Sequence, residues 1–362
     1  MAGRSPAASL VAEGERELAD GTPAGNQRAA SLFERAVEAD PGSVPGLVGL
    51  ANAYLELAYA GGSDGTLLER AIAAGETAVQ LDPADGDAYL VLAHAYRAKG
   101  ALTKELELSL RRAELAPDDP RPRARAGWVL WFTGRSDEAL PWLDAAASTQ
   151  GDVWVHRWVH FFLGNAFLAL GDFTESTQRY GRAVELYPDH SSARAGVVWS
   201  LLAAGRDEEA RAALGEFQQA PSDGDRHPLK LADLEFFLGD DDVALVHATE
   251  ALAEPEERYW PRGFLAGTIT GALLWPLDRE RAEEQLERSE RIDRERLEGG
   301  DEGYMAHIDL AAVASIRGRT REACRWVRSA TAAGWRGQPL AIRDRLFANV
   351  RANPEFRSLV SS

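Results

Sequence analysis

His156 and His160 stand four residues apart in VWVHRWVH. On a helix that spacing puts both imidazoles on one side, which is how a zinc site can begin. Zinc needs a third and usually a fourth ligand, and the neighbouring sequence does not supply the set. The pair is therefore expected to pack or to edge a groove, with a metal-binding or enzymatic protein built on His156 and His160 as an alternative reading. Cys324 is the single cysteine and sits inside EACRWV. No activating histidine is close to it in sequence, so a buried structural thiol is expected. The chain contains no G-x-x-x-x-G-K-[ST] loop and no H-E-x-x-H helix. Paired carboxylates are frequent, but on charged helix faces where solvation accounts for them. The expectation is a protein that is not an enzyme, with no catalytic residue, metal or cofactor.

Any side chain with a task must then be positioned by the scaffold, and composition bounds that scaffold. The chain has 362 residues, 45% hydrophobic and 27% charged, with a formal net charge of -17. That composition is globular. The excess of carboxylates disfavours phosphate backbones and anionic membranes. A single cysteine excludes an intrachain disulfide framework. The first residues, MAGRSPAASLVAEGERELADG, lack the apolar run of a signal peptide, and no stretch has the roughly 18 uninterrupted apolar residues of a membrane span. A cytoplasmic location is expected. Lysine occurs only at Lys99, Lys104 and Lys230; all other basic side chains are arginines.

A ruler runs along the chain. Gly100, Gly134, Gly171, Gly205 and Gly239 each follow an apolar-periodic segment, spaced by 34 residues except for 37 between Gly134 and Gly171. Gly318, in GRTREA, continues the series after a longer gap. Pro117 and Pro188 follow Gly100 and Gly171 by 17, and Asp40-Pro41 and Asp82-Pro83 close earlier segments in the same way. Ala36, Ala78 and Ala183 stand five residues before three of these prolines. Each unit thus predicts helix, glycine turn, helix, proline stop: glycine supplies a positive φ after the first helix, and proline cannot continue the second. Within FLGNAFLALGDFTESTQRYGRAVELYP, a glycine at 164 costs about 1 kcal/mol against alanine in a helix. It is expected to mark a close approach to Ala183 or its neighbours. Gly181 has no such explanation.

The period, the alternation of small and large residues and the closing proline resemble the tetratricopeptide repeat. The matching residues are Tyr89, Leu92, Ala93 and Tyr96; Leu163, Gly164, Phe167, Tyr180, Ala183 and Pro188; and Leu50, Ala51 and Tyr54 with Phe33, Ala36 and Pro41. The resemblance implies an all-α, right-handed α-solenoid of about nine helix-turn-helix hairpins with a C-terminal capping helix. It covers residues 7 to 258. Departures are the insertion AGGSDGT at 60–66, three extra residues near Thr149 to Trp154, and a lost proline signature after Glu256. The expected organisation is therefore a hairpin array over 1–258, continuous with degenerate helical repeats and a cap over 259–362. In the latter part Ala282, Leu286, Ser289, Ile292 and Leu297 share one helix face, opposite the i,i+4 pairs Glu284–Arg288, Glu287–Arg291 and Glu290–Arg294. Leu310, Ala311, Gly318, Ala323 and Ala330 return to the repeat register. Gly334, Trp335, Leu346, Phe347, Pro354, Phe356 and Leu359 are similar to the closing segment of bacterial tetratricopeptide modules fused to winged-helix regulators, nucleotide cyclases or protein kinases. Physically, such a segment covers the apolar end face that a solenoid leaves exposed.

In this family the first helix of each hairpin lines the concave face; that is what the resemblance implies. One recurring position there is occupied by Asn52, His94, Trp128, Asn165, Trp199 and Asp233. Trp131, Trp158, Phe161 and Phe236 lie on the same stripe, and Arg97 and Arg121 at similar inward-facing places. Asn52 and Asn165 are expected in the groove rather than the core, since a buried amide needs partners. The stripe predicts a concave aromatic groove that binds a peptide or protein partner, with tryptophan as the anchor type. Acidic surroundings favour a partner bearing basic and apolar residues. A role as a stand-alone sensor docking on a separately encoded kinase or transcription factor is the alternative within the same class.

Overall fold

The computed structural model describes residues 5–60, 65–149, 153–219, 228–253 and 262–360. All regular structure among them is helical. The chain forms two compact units, residues 1–126 and 127–362. The first contains α1 (Pro6–Ala19), α2 (Pro23–Ala39), α3 (Val44–Ala60), α4 (Gly65–Leu81), α5 (Gly86–Ala98) and α6 (Leu102–Leu115), and the second begins within α7 (Pro120–Phe132). There follow α8 (Ser136–Ala147), α9 (Val153–Leu170), α10 (Phe173–Leu186), α11 (Ser191–Ala203), α12 (Asp207–Gln219), α13 (Pro228–Leu238) and α14 (Asp241–Ala251). The chain continues with α15 (Ala266–Leu274), α16 (Arg279–Glu298), α17 (Met305–Ile316), α18 (Thr320–Ala332), the single turn α19 (Gln338–Ala341), a 3-10 turn at Arg345–Phe347 and α20 (Pro354–Val360).

Among the described residues α1–α2, α3–α4 and α5–α6 pack as hairpins in the first unit and α9–α10, α11–α12, α13–α14, α15–α16 and α17–α18 in the second, where Gly127 of α7 also lies against Leu143 of α8. Within each unit, first helix packs on first helix: α1 on α3 and α3 on α5 in one, α9 on α11, α11 on α13, α13 on α15 and α15 on α17 in the other. That is the order of an α-solenoid, in which each hairpin buries its neighbour's apolar side.

The turns follow the glycine ruler. Gly100, Gly134, Gly171, Gly205, Gly239 and Gly318 all have φ between 72° and 89°. At Gly205 the amide donates to Leu202 O at 3.1 Å and the next amide, Arg206 N–H, to Leu201 O at 2.9 Å. This doubled bond ends a helix on a left-handed residue. The starts are equally local. Thr22 Oγ1 accepts from Gly25 N at 3.0 Å ahead of Pro23, and Asp172 Oδ1 accepts from Glu175 N at 3.0 Å. Pro41, Pro83, Pro117 and Pro188 lie just beyond the ends of α2, α4, α6 and α10.

Each unit is packed by one ring slotted between glycines. In the second, fully buried Tyr180 on α10 lies between Gly164 on α9 and Gly196 on α11, where β-carbons would come within 2.6 and 2.5 Å of its ring. In the first, Phe33 takes the same place between Gly14 and Gly49. Gly164 is thus the expected close approach, and the residue it meets, Tyr180, is a near neighbour of Ala183 on α10. Gly181 is open, with nothing near its missing side chain.

On α16, Ala282, Leu286 and Ser289 are buried as expected, Ile292 and Leu297 are half-buried, and Glu290 pairs with Arg294 at 2.7 Å. Cys324 is buried. Phe347 and Phe356, 1% and 0% exposed, meet at 5.3 Å with their rings tilted by 35°, where the 3-10 turn meets α17 and α20 meets α18. The segment expected as a cap packs on α17 and α18. The division at 126/127 differs from the boundary expected at 258/259, which lies in the undescribed residues 254–261. Arg262 and the closing segment make ion pairs with α12, α13 and α14, tying the late part of the chain to the hairpins before it. The insertion at 60–66 and the extra residues near 149–154 also fall largely outside the described residues.

Candidate partner-binding site

The first helices of residues 1–126 present a polar stripe. Asn52 on α3 and His94 and Arg97 on α5 are all half-buried. Arg97 Nη2 donates to Tyr59 Oη at 3.3 Å, while its Nε is buried with no acceptor. His94 is pushed down to about 3, first by burial and then by the charges of Arg97, Arg125 and Arg112. The imidazole is thus a neutral hydrogen-bonding group among guanidinium ions at physiological pH. Arg125 donates to the buried carboxylate of Glu105, and burial pushes that carboxylate up while Arg125 opposes the shift. Arg121 is exposed and holds Asp119 at 2.8 Å, with Arg112 at 3.3 Å on the other oxygen. The charges that act on His94 are those of arginines, in a chain whose formal charge is -17.

In residues 127–362 the expected stripe is mostly covered by the chain itself. Trp128 and Trp158 remain half-exposed, Trp128 stacked on Phe132 at 5.1 Å and Trp158 edge-on to His190 at 5.0 Å. Trp131, Phe161, Asn165, Trp199, Asp233 and Phe236 are buried. Expected as groove residues, they face protein instead. Trp131 lies edge-on to Phe132 at 5.8 Å, and Phe161 packs on Tyr180 at 5.8 Å. Inside the core Asn165 Oδ1 accepts from the Tyr180 hydroxyl, while its Nδ2 is buried with no acceptor. Trp199 and Asp233 are covered by Arg262. That guanidinium sits 4.9 Å from the Trp199 ring, 5.1 Å from Phe237 and 4.9 Å from Phe264. Its Nη2 lies 3.0 Å from both Asp233 Oδ1 and Asp344 Oδ2. Asp233 is raised to about 7, chiefly by burial. Phe236 is covered by Arg345, 4.6 Å from its ring.

Tyr59, Arg125, Arg262, Arg343 and Arg345 are not among the residues expected from sequence. One signal was available: GRDEEA and GDDDVA place Asp207 and Asp241 at the same step after Gly205 and Gly239. What meets them comes from more than 100 residues away and carries no local signature.

The histidine pair lies with ring centroids 6.4 Å apart, and His160 is pushed down to about 4, first by burial and then by Arg179. Among the described residues no three His, Cys, Asp or Glu side chains converge as metal ligands. A cavity of about 40 Å³, bounded by Trp131, Leu168, Phe264, Tyr304 and Trp335, has room for about one water. Organic ligands need about 300 Å³ or more. Among the described residues no helix is long and apolar enough to cross a membrane.

Residues 66–120 and 163–224 match a tetratricopeptide-repeat family model. No curated protein matches the chain. Among solved structures, a thermophilic tetratricopeptide protein from Thermus thermophilus is similar at 24% identity, covering 54% of this chain and 98% of its own, with a TM-score of 0.40. YrrB, described as a tetratricopeptide protein with an unusual peptide-binding site, is similar at 20% identity over 61% of this chain and 99% of its own, with a TM-score of 0.41. Human IFIT1, a dimer with PPP-AAAA, is similar at 16% identity over 88% of this chain and 72% of its own, with a TM-score of 0.49. These are likenesses of fold.

Proposed function

Because the chain is a tetratricopeptide-repeat protein, we propose that it works as a non-catalytic interaction scaffold. On this reading a peptide or protein partner lies along the first-helix face of residues 1–126, against Asn52, His94, Arg97 and Arg121. The observation that carries this is Arg97. Its Nε is buried without an acceptor and its Nη2 meets only a long bond to Tyr59. An unmet buried donor is costly, and a carbonyl or carboxylate oxygen from an extended chain would satisfy it. The neutral imidazole of His94 offers a second polar contact that adds no charge. The arginine charges around His94 favour carboxylates at this point of the partner, in contrast to the basic partner expected from net charge alone.

The test is a paired affinity capture, resolved by mass spectrometry, with the wild-type chain and an Asn52→Ala/His94→Ala/Arg97→Glu variant. A protein retained by the first and lost from the second, at equal helicity and melting temperature, supports the reading. An identical captured set for both rules this face out.

A further inference from the structure

The segment from Gly334 to Asn349 runs along the glycine turns of the second unit. Gly334 lies against the α7–α8 turn, where a β-carbon on it would come within 2.3 Å of the Thr133 carbonyl carbon. Arg343 then reaches the α11–α12 turn. Its Nη1 donates to Leu202 O, and its Nη2 lies 2.7 Å from both oxygens of Asp207. Arg345 reaches the α13–α14 turn. Its Nη1 donates to Phe236 O at 2.7 Å and to Asp241 Oδ1, and its Nη2 to Asp241 Oδ2 at 2.8 Å. Asn349 closes the run, with Nδ2 donating to Ser315 O at 3.0 Å at the α17–α18 turn.

These contacts repeat. Leu202 and Phe236 each stand three residues before their turn glycine, and Asp207 and Asp241 two after. Each site therefore combines a carbonyl in the last turn of one helix, which also accepts from the turn glycine (Gly205 N to Leu202 O at 3.1 Å, Gly239 N to Phe236 O at 3.2 Å), with a carboxylate opening the next. A ring completes it: Phe237 at 5.8 Å for Arg343 and Phe236 at 4.6 Å for Arg345. The two sites are one repeat apart, and the two arginines that fill them are two residues apart. Between them Asp344 alone has extended backbone, with φ -65° and ψ 128°, ahead of the 3-10 turn at Arg345–Phe347. The intervening Asp344 points oppositely, to Arg262. In the ruler only Gly205 and Gly239 are followed at that step by aspartate.

We propose that this edge of α11–α14 is an arginine-reading surface. Its ligand is a segment bearing arginine-x-arginine, and the side chains of Arg343 and Arg345 are the intrachain occupants that a partner segment of that chemistry displaces. Both arginine–aspartate pairs stay partly in water, with side chains 35% and 50% exposed at Arg343–Asp207 and 38% and 49% at Arg345–Asp241. Pairs this wet hold weakly enough to exchange. The apolar anchors Leu346, Phe347 and Val350, all buried, keep the displaced segment tethered to the cap. This inference does not depend on the face of residues 1–126, and its probe is the chain's own sequence.

The experiment adds a labelled peptide, LAIRDRLFANV (residues 340–350), to the full chain and reads fluorescence anisotropy. Arg343→Glu/Arg345→Glu should repel Asp207 and Asp241 and vacate the sites. The variant is expected to bind the peptide at least ten-fold more tightly than wild type, and the peptide carrying Arg343→Ala and Arg345→Ala at least ten-fold more weakly. Equal binding by variant and wild type, no binding by either, or undiminished binding of the arginine-free peptide overturns the proposal. If that variant does not fold, Asp207→Arg/Asp241→Arg opens the segment from the other side. Amide exchange over 340–350 should then quicken at least ten-fold and return to the wild-type rate when all four charges are swapped. Failure of either change also overturns it.

Discussion

The Tyr180 ring occupies the space that a side chain at Gly164 would need, so that a β-carbon there would come within 2.6 Å of it. The hydroxyl of the same ring donates to Asn165 Oδ1, one residue along α9. The glycine, the ring and the amide are one packing unit at the centre of the hairpin.

Gly164→Ala should therefore destabilise the second unit by about 1–3 kcal/mol, because the buried ring has nowhere to move. Tyr180→Ala should cost about 3–5 kcal/mol through the cavity it leaves. Tyr180→Phe should cost about 1–2 kcal/mol by stranding the Asn165 amide. Urea unfolding followed by circular dichroism measures all three. A neutral Gly164→Ala would contradict this packing.

His94 makes a pH prediction whose sign follows from linkage. Its folded pKa is pushed down to about 3, below the ordinary 6.5. The unfolded chain therefore takes up a proton first as pH falls. The stability due to neutral His94 is complete above pH 6.5 and is lost progressively toward 3, by about 1–2 kcal/mol at pH 5. His94→Gln should remove that part of the acid sensitivity. Its ring protons should show no titration between pH 5 and 8 by NMR; a midpoint near 6.5 would refute the burial argument.

Arg262 is 4% exposed and shared by Asp233 and Asp344. Arg262→Met would leave two carboxylates buried without their cation, a loss of about 3–5 kcal/mol. Hydrogen exchange should quicken first around Asp344 and along α13. Unchanged protection there would show that the buried cation is not what joins these segments.

Asp233 has the opposite pH sign to His94. Its folded pKa is raised to about 7 from an ordinary 3.8. The unfolded carboxyl ionises first as pH rises, so this group contributes stability at low pH that is lost between 3.8 and 7. Lowering the pH from 8 to 6.5 should raise the melting temperature of wild type relative to Asp233→Asn. Parallel melting curves across that window would place the Asp233 pKa elsewhere.

Much of this protein is legible along the chain, because helices and turns are built from neighbours. The 34-residue spacing of turn glycines, the prolines after α2, α4, α6 and α10 and the small residues at 164 and 183 identify hairpins from short-range rules alone. Position in a repeat also assigned Asn52, His94, Asn165, Trp199 and Asp233 to first helices. Whether those positions are open could not be seen the same way. His94 and Arg97 are left half-buried, while Trp199, Asp233 and Phe236 are closed over by Arg262 and Arg345, and Asn165 is turned into the core. Arg343 meets Asp207 across 136 residues, a pairing that no local period encodes. Such contacts arise only when the closing segment packs back over earlier turns, so the tertiary structure alone decided which parts of the stripe stayed free.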